Sequence, residues 1–87
     1  MKVSIRKSFT KDADKLPAAL QHQLAEIIEA MEQAYSTHTL QNCKKLKGHR
    51  TAYRIRMGAY RIGFYCSKQN IELVRVLDRN EIYRNFP

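Results

Sequence analysis

The chain has 87 residues, a mass of 10.2 kDa and an apolar share of 44% with eight aromatics, which suits one domain with a modest core and excludes a disordered chain. Sixteen Lys and Arg against eight Asp and Glu leave a formal charge of +8, which favours polyanionic partners. No apolar run approaches the roughly 18 to 20 residues of a membrane span, and the opening MKVSIRKSF lacks the apolar stretch of a signal peptide, so a cytoplasmic protein with no membrane partner is expected.

In chain order, Lys2 to Lys7 alternates with Val3 and Ile5 on one face and predicts a first strand. Thr10 is placed to cap a short helix through Lys15, with Asp12 and Asp14 in its first turn, where carboxylates favour the helix dipole. Pro17 suits an early position of a longer second helix. There Leu16, Leu20, Leu24, Ile27, Ile28, Met31 and Tyr35 recur at spacings of three and four, as a core-facing stripe does. From Ser36 the periodicity fades. Leu40, Cys43 and Leu46 suggest one helical turn before Gly48 ends it.

Two strands follow, Thr51 to Met57 and Tyr60 to Cys66, joined at Gly58-Ala59, where glycine in the first loop position suits a type II′ turn. Ser67 to Asn70 forms another turn, and Ile71 to Leu77 is apolar on both faces, as a central strand is. The tail from Asp78 reads as irregular or a single turn. The fold class is α+β: a four-stranded, mainly antiparallel sheet with an N-terminal helical pair packed on one face. Cys43 and Cys66 lack C-x-x-C spacing and are expected as free, half-buried thiols.

The charge is not spread evenly. Between Gln33 and Ile71 there is no Asp or Glu, while Lys44, Lys45, Lys47, Arg50, Arg54, Arg56, Arg61 and Lys68 all lie there. With Gly58-Ala59 as the loop, Arg56 pairs with Arg61, Arg54 with Gly63 and Tyr53 with Phe64. Alternation then puts Tyr53, Ile55, Met57, Tyr60, Ile62 and Phe64 under the helices. The opposite face carries Arg54, Arg56 and Arg61, with open space at Gly63 and Tyr65 at the far end. Like charges directly opposite one another on a sheet do nothing for the fold, whereas an anion held between two guanidiniums relieves them, and their fork matches phosphate oxygens. Nucleic acid is therefore the leading partner class.

KLKG (Lys45 to Gly48), YRIRMGAYRIGFY (Tyr53 to Tyr65) and the closing RNEIY (Arg79 to Tyr83), in this order along a strand, helix and hairpin pattern, resemble the RelE/ParE superfamily of toxins from type II toxin-antitoxin systems. The resemblance covers essentially the whole chain as one toxin domain. What it implies, in the RelE-like branch, is a ribosome-dependent endoribonuclease, an mRNA interferase that cuts mRNA in the decoding site, inhibits translation and is blocked by a cognate antitoxin. It also implies a site with no metal ion or other cofactor, its motif positions falling here on Arg54, Arg56, Arg61, Arg79 and Tyr83. Where some relatives carry lysines on the first hairpin strand, this chain has Arg54 and Arg56. ParE-like members instead poison DNA gyrase, and a non-catalytic RNA- or ribosome-binding module is a third reading of the same patch.

The chemistry is consistent with the residues. RNA supplies its own nucleophile, the 2′-hydroxyl, so a protein has to align it with the adjacent phosphate and stabilise the charge that develops. Arg61 is the foremost candidate for that stabilisation. A phenol such as Tyr83, with an ordinary pKa of about 10, serves as base only beside cations that lower it, and it otherwise orients the 2′-hydroxyl. Lys44, Lys45, Lys47 and Arg50 are candidate RNA-backbone contacts, and Tyr65 a candidate stacking surface for a base. His49, inside the basic segment, is a candidate proton shuttle, whereas His22 and His38 read as surface residues. Without the resemblance, Arg79 and Tyr83 read equally as a packing pair in the tail.

Overall fold

A computed structural model describes all 87 residues. In chain order the elements are β1 (Lys2–Ile5), α1 (Lys7–Asp14), α2 (Ala18–Gln33), a single 3-10 turn (Thr37–Thr39), β2 (Cys43–Lys45), β3 (Ala52–Met57), β4 (Tyr60–Ser67), β5 (Asn70–Asp78) and α3 (Arg79–Asn85). One five-stranded sheet has the order β1-β5-β4-β3-β2, with β1 parallel to β5 and every other pair antiparallel. No helix is long and apolar enough to cross a membrane.

The α+β class holds, but the sheet is mixed and has a fifth strand where a helical turn was expected. In β2, Cys43 pairs with Ile55, Lys44 with Arg54 and Lys45 with Tyr53. Three residues are too few to show alternation, and Leu40, Cys43 and Leu46 happen to be three apart, which imitates a helix. Nor do the N-terminal helices act as a pair, since α1 packs on β5 and α2 on β1 rather than mainly on each other. Helix α1 also starts at Lys7, earlier than Thr10 would have capped it. The cause is tertiary: Phe9 is buried, and Asp12, only 7% exposed, faces the sheet instead of the helix dipole. Its carboxylate accepts from Arg75 Nε at 2.6 Å, from Arg75 Nη2 at 3.0 Å and from the Val76 amide at 3.1 Å.

In α2 the stripe behaves as its spacing demands, with Leu16 just ahead of the helix, Leu24 and Met31 buried and Leu20, Ile27 and Ile28 packed at the margin. Tyr35 does not continue it and is 87% exposed, because the chain turns extended at Ala34. The terminal ammonium of Met1 donates to the carbonyls of Met31, Glu32 and Ala34 at 3.2, 2.9 and 2.8 Å, a positive charge at the negative end of the α2 dipole.

The β3–β4 hairpin has the expected register, Tyr53 opposite Phe64 through Met57 opposite Tyr60. Gly58 has φ +60° and Ala59 does not share a positive φ, as a type II′ turn requires. One face of the sheet buries Ile55, Met57, Ile62, Phe64, Ile71, Leu73 and Val76 against α1 and α2. The other was expected to be open, yet α3 covers one end of it: Ile82 and Phe86 join Leu46, Ala52 and Val74 in a second, smaller core. The register of β5 shifts between Arg75 opposite Gly63 and Leu73 opposite Phe64, leaving Val74 as an extra residue. The tail is thus a helix, and Asp78 caps it, its Oδ1 accepting from the amides of Asn80 at 2.9 Å and Glu81 at 3.0 Å.

Candidate functional site

Alternation along three adjacent strands puts Lys44 of β2, Arg54 and Arg56 of β3 and Arg61 of β4 on the face that carries α3. Two like-charged pairs stand directly opposite, Lys44 with Arg54 and Arg56 with Arg61. Each such pair opposes folding by a few tenths of a kcal/mol or more. The second was legible in the sequence and the first was not, because β2 was not.

Each guanidinium is held by a neutral partner. Arg61 Nη1 donates to the carbonyls of Gly58 and Tyr60, both at 2.9 Å, so the side chain is anchored on the hairpin turn. Arg56 Nη2 donates to Asn42 Oδ1 at 3.3 Å. The Arg54 guanidinium lies 4.5 Å from the centre of the Tyr83 ring, a cation–π contact between sheet and helix. Both ion pairs of the protein lie elsewhere: Asp12 with Arg75, and Glu72 with Arg6, whose hydrogen bond holds the Glu72 carboxyl below the usual carboxylate range. The hairpin cations are therefore oriented but not neutralised.

Together Asn42, Lys44, Arg54, Arg56, Arg61 and Tyr83 line a cleft of about 300 Å³ without a carboxylate side chain. A second cleft of about 360 Å³ adjoins it, sharing Lys44, Arg54 and Tyr83 and adding Leu46, Lys47, His49 and the Phe86–Pro87 end of the chain. Tyr83, 69% exposed, stands between the two. Neither cleft is a metal site by composition, and no group of three or more His, Cys, Asp or Glu side chains in the protein is placed to hold a metal ion. The arrangement suits a different task, binding a multiply charged oxyanion through bidentate and point-charge contacts at once.

Of the residues singled out in the sequence, Arg54, Arg56, Arg61 and Tyr83 come together in the first cleft with Lys44, and Lys47 and His49 lie in the second. Arg79 lies four residues before Tyr83, on the same side of α3, with its amide donating to the Ala59 carbonyl at 2.9 Å. It lines neither cleft. Lys45 belongs to the opposite face of the sheet, beside Cys43, Tyr53 and His38. Arg50 is exposed in the loop before β3 and lines neither cleft. Tyr65 is half-buried, 5.2 Å from the Phe86 ring and with the Arg6 guanidinium 5.7 Å over its own, so a face expected to be free is already occupied.

Asn42 and Phe86 are among the residues of the site that escaped the sequence reading. Asn42, which holds Arg56, sits at φ +59° where periodicity had faded, and no pattern pointed to it. Phe86 fills the space expected to be open at Gly63, where an added Cβ would lie 2.5 Å from its ring. For Phe86 a signal existed, since a glycine inside a strand often marks a close approach.

Comparison with known proteins gives a consistent result. A family described as the ParE toxin of the type II toxin-antitoxin system, parDE, matches residues 3–83. Over 88 residues the chain is 40% identical to Toxin RelE3 of Methanocaldococcus jannaschii, covering 100% of both. Among solved structures it is similar to the RelB-RelE antitoxin-toxin complex from Methanococcus jannaschii, with TM-score 0.81, 36% identity and coverage of 95% of this chain and 98% of that one. The archaeal RelE-RelB complex from Pyrococcus horikoshii OT3 shares the fold, with TM-score 0.75, 24% identity and coverage of 90% and 93%.

Proposed function

The chain belongs to the RelE/ParE superfamily of toxins from type II toxin-antitoxin systems, and we propose that it is a ribosome-dependent endoribonuclease, an mRNA interferase held inactive by a cognate antitoxin. The observation that carries this reading is the carboxylate-free cleft in which four cations from three strands meet Tyr83. Two like-charged cross-strand pairs oppose folding, and a bound phosphodiester supplies the charge that offsets them.

In this reading the 2′-hydroxyl gives its proton to solvent as its oxygen attacks the adjacent phosphorus, and the bond to the 5′-oxygen breaks as that oxygen takes a proton from water, leaving a 2′,3′-cyclic phosphate and a 5′-hydroxyl. Arg61, fixed by two turn carbonyls, is aimed before substrate arrives, and preorganised charge of this kind is commonly the largest catalytic contribution. Arg56, steadied by Asn42, and Lys44 hold the non-bridging oxygens together with it. The Arg54 guanidinium, 4.5 Å from the centre of the Tyr83 ring, holds that ring at the cleft, where its hydroxyl orients the 2′-hydroxyl. Arg79, outside the cleft, is assigned a contact with the flanking backbone or the ribosome, as are Arg50 and the remaining lysines. The site of action is the decoding site in the cytoplasm, and the antitoxin covers this face.

The test is cleavage of mRNA on programmed ribosomes by the purified protein, with both new ends characterised. Cuts in the decoding site that carry a 5′-hydroxyl, reduced about 10²- to 10³-fold by Arg61→Ala, support the reading. Inhibition of gyrase without RNA cleavage would move the protein to the ParE-like branch. Ribosome binding without either activity would leave a non-catalytic module.

A further inference from the structure

We propose that the second cleft, on the far side of Tyr83, is a nucleotide subsite that holds the residue of single-stranded RNA next to the one whose phosphate lies among the arginines. This rests on the RNA reading above and adds to it where the strand continues.

Three observations point there. The clefts share Lys44, Arg54 and Tyr83, so they adjoin across the Tyr83 side chain, and a strand passing over its exposed ring reaches both. The composition of the second is that of a nucleotide in negative: Lys47 joins the shared Lys44 and Arg54 cations for a phosphate and the His49 ring offers it a hydrogen bond, while Leu46, Phe86 and Pro87 give an apolar floor beside the exposed Tyr83 ring for a base. Finally, the loop is built rather than loose. Leu46 N donates to Ala52 O at 2.9 Å and His49 N to Leu46 O at 3.3 Å, and Gly48 takes the left-handed conformation at φ +78° that lets the chain turn back. Lys47 and His49 thereby line the cleft opposite the end of α3.

Uncleavable 2′-O-methyl RNAs, fluorescently labelled, test this by anisotropy on the intact protein at low salt. A trinucleotide is expected to bind about tenfold tighter than a dinucleotide. The double variant Lys47→Gln/His49→Gln should erase that step while leaving dinucleotide affinity in place, and an abasic third position should erase most of it in the wild type. Arg61→Gln should weaken both lengths. No step between the lengths, or a step indifferent to Lys47, His49 and the third base, overturns the subsite while the arginine cleft stands. Absence of binding by the wild type overturns the subsite, the ribosome-dependent reading being tested on programmed ribosomes, whereas binding untouched by Arg61→Gln overturns the RNA reading itself and the subsite with it.

Discussion

The ring of Phe86 lies so close over Gly63 that a Cβ at residue 63 would stand 2.5 Å from Phe86 Cδ2, well inside van der Waals contact. Gly63 is in the middle of β4, opposite Arg54, and Phe86 closes the helix that carries Tyr83. The missing side chain thus lets α3 seat on the sheet and bring Tyr83 to Arg54.

Gly63→Ala should therefore act at a distance. The methyl group has to displace the Phe86 ring, at about 1 to 3 kcal/mol, and the damage falls on the smaller core of Leu46, Ala52, Val74, Ile82 and Phe86. Urea unfolding should show that loss. Ribosome-dependent cleavage should fall further than stability alone explains, because Tyr83 leaves its place. Full activity in a destabilised variant would show that α3 does not position Tyr83.

Asp12 predicts the opposite pattern. Its buried carboxylate meets Arg75 in two hydrogen bonds and the Val76 amide in a third, far from the clefts. Asp12→Asn leaves the Arg75 charge without its partner and should cost about 3 kcal/mol in urea unfolding. The fraction still folded should keep its specific activity.

How much the sequence revealed follows from the range of the interactions involved. The register of the hairpin was legible to the residue, though not its outer ends, since Gly58-Ala59 fixes register locally and alternation fixes which side chains share a face. The cleft cations Arg54, Arg56 and Arg61 followed from that. Lys44 did not, because β2 is three residues long and acquires its strand geometry only from β3. Helix α3 was missed although Asp78 followed by Glu81 three residues later carries a helix-start signature, since seven residues give too little periodicity to see. The start of α1 was misplaced because a buried partner on β5, not local capping, decides where Asp12 lies.

A backbone strain predicts a gain in stability. The turn between β4 and β5 places Lys68 at φ +56°, a conformation that crowds Cβ and costs a residue other than glycine about 1 kcal/mol. Lys68 lines none of the clefts. Lys68→Gly should raise the midpoint of urea unfolding, with cleavage unchanged. A lower midpoint would mean that the turn tolerates Lys68 without strain.

Cys43 gives a pH dependence. Burial, with a smaller contribution from Cys66, pushes its thiol from the usual 9.0 up to about 11. A folded pKa above the unfolded one means that the unfolded state releases the proton first, so this contribution to stability is complete below pH 9.0 and is lost as pH rises toward about 11. Alkylation of Cys43 by iodoacetamide, followed by mass spectrometry, should be slow in the folded protein at neutral pH and rapid in urea. Cys43→Ala should flatten the alkaline loss of stability. Rapid alkylation of the folded protein at neutral pH would contradict the burial.

The repulsion between facing cations leads to the sharpest expectation. Arg56 opposite Arg61 and Lys44 opposite Arg54 are unfavourable without an anion, so removing one charge should help the fold where it harms the function. Arg61→Gln is expected to leave stability unchanged or raise it by a few tenths of a kcal/mol, although it gives up two bonds to the turn carbonyls. Inorganic phosphate should raise the melting temperature of the wild type by binding the folded state, and Arg61→Gln should remove most of that rise. Cleavage should fall about 10²- to 10³-fold in the same variant. Equal stabilisation of both proteins by phosphate would mean that the anion binds away from Arg61, and the charge-stabilising role would then pass to another member of the cleft.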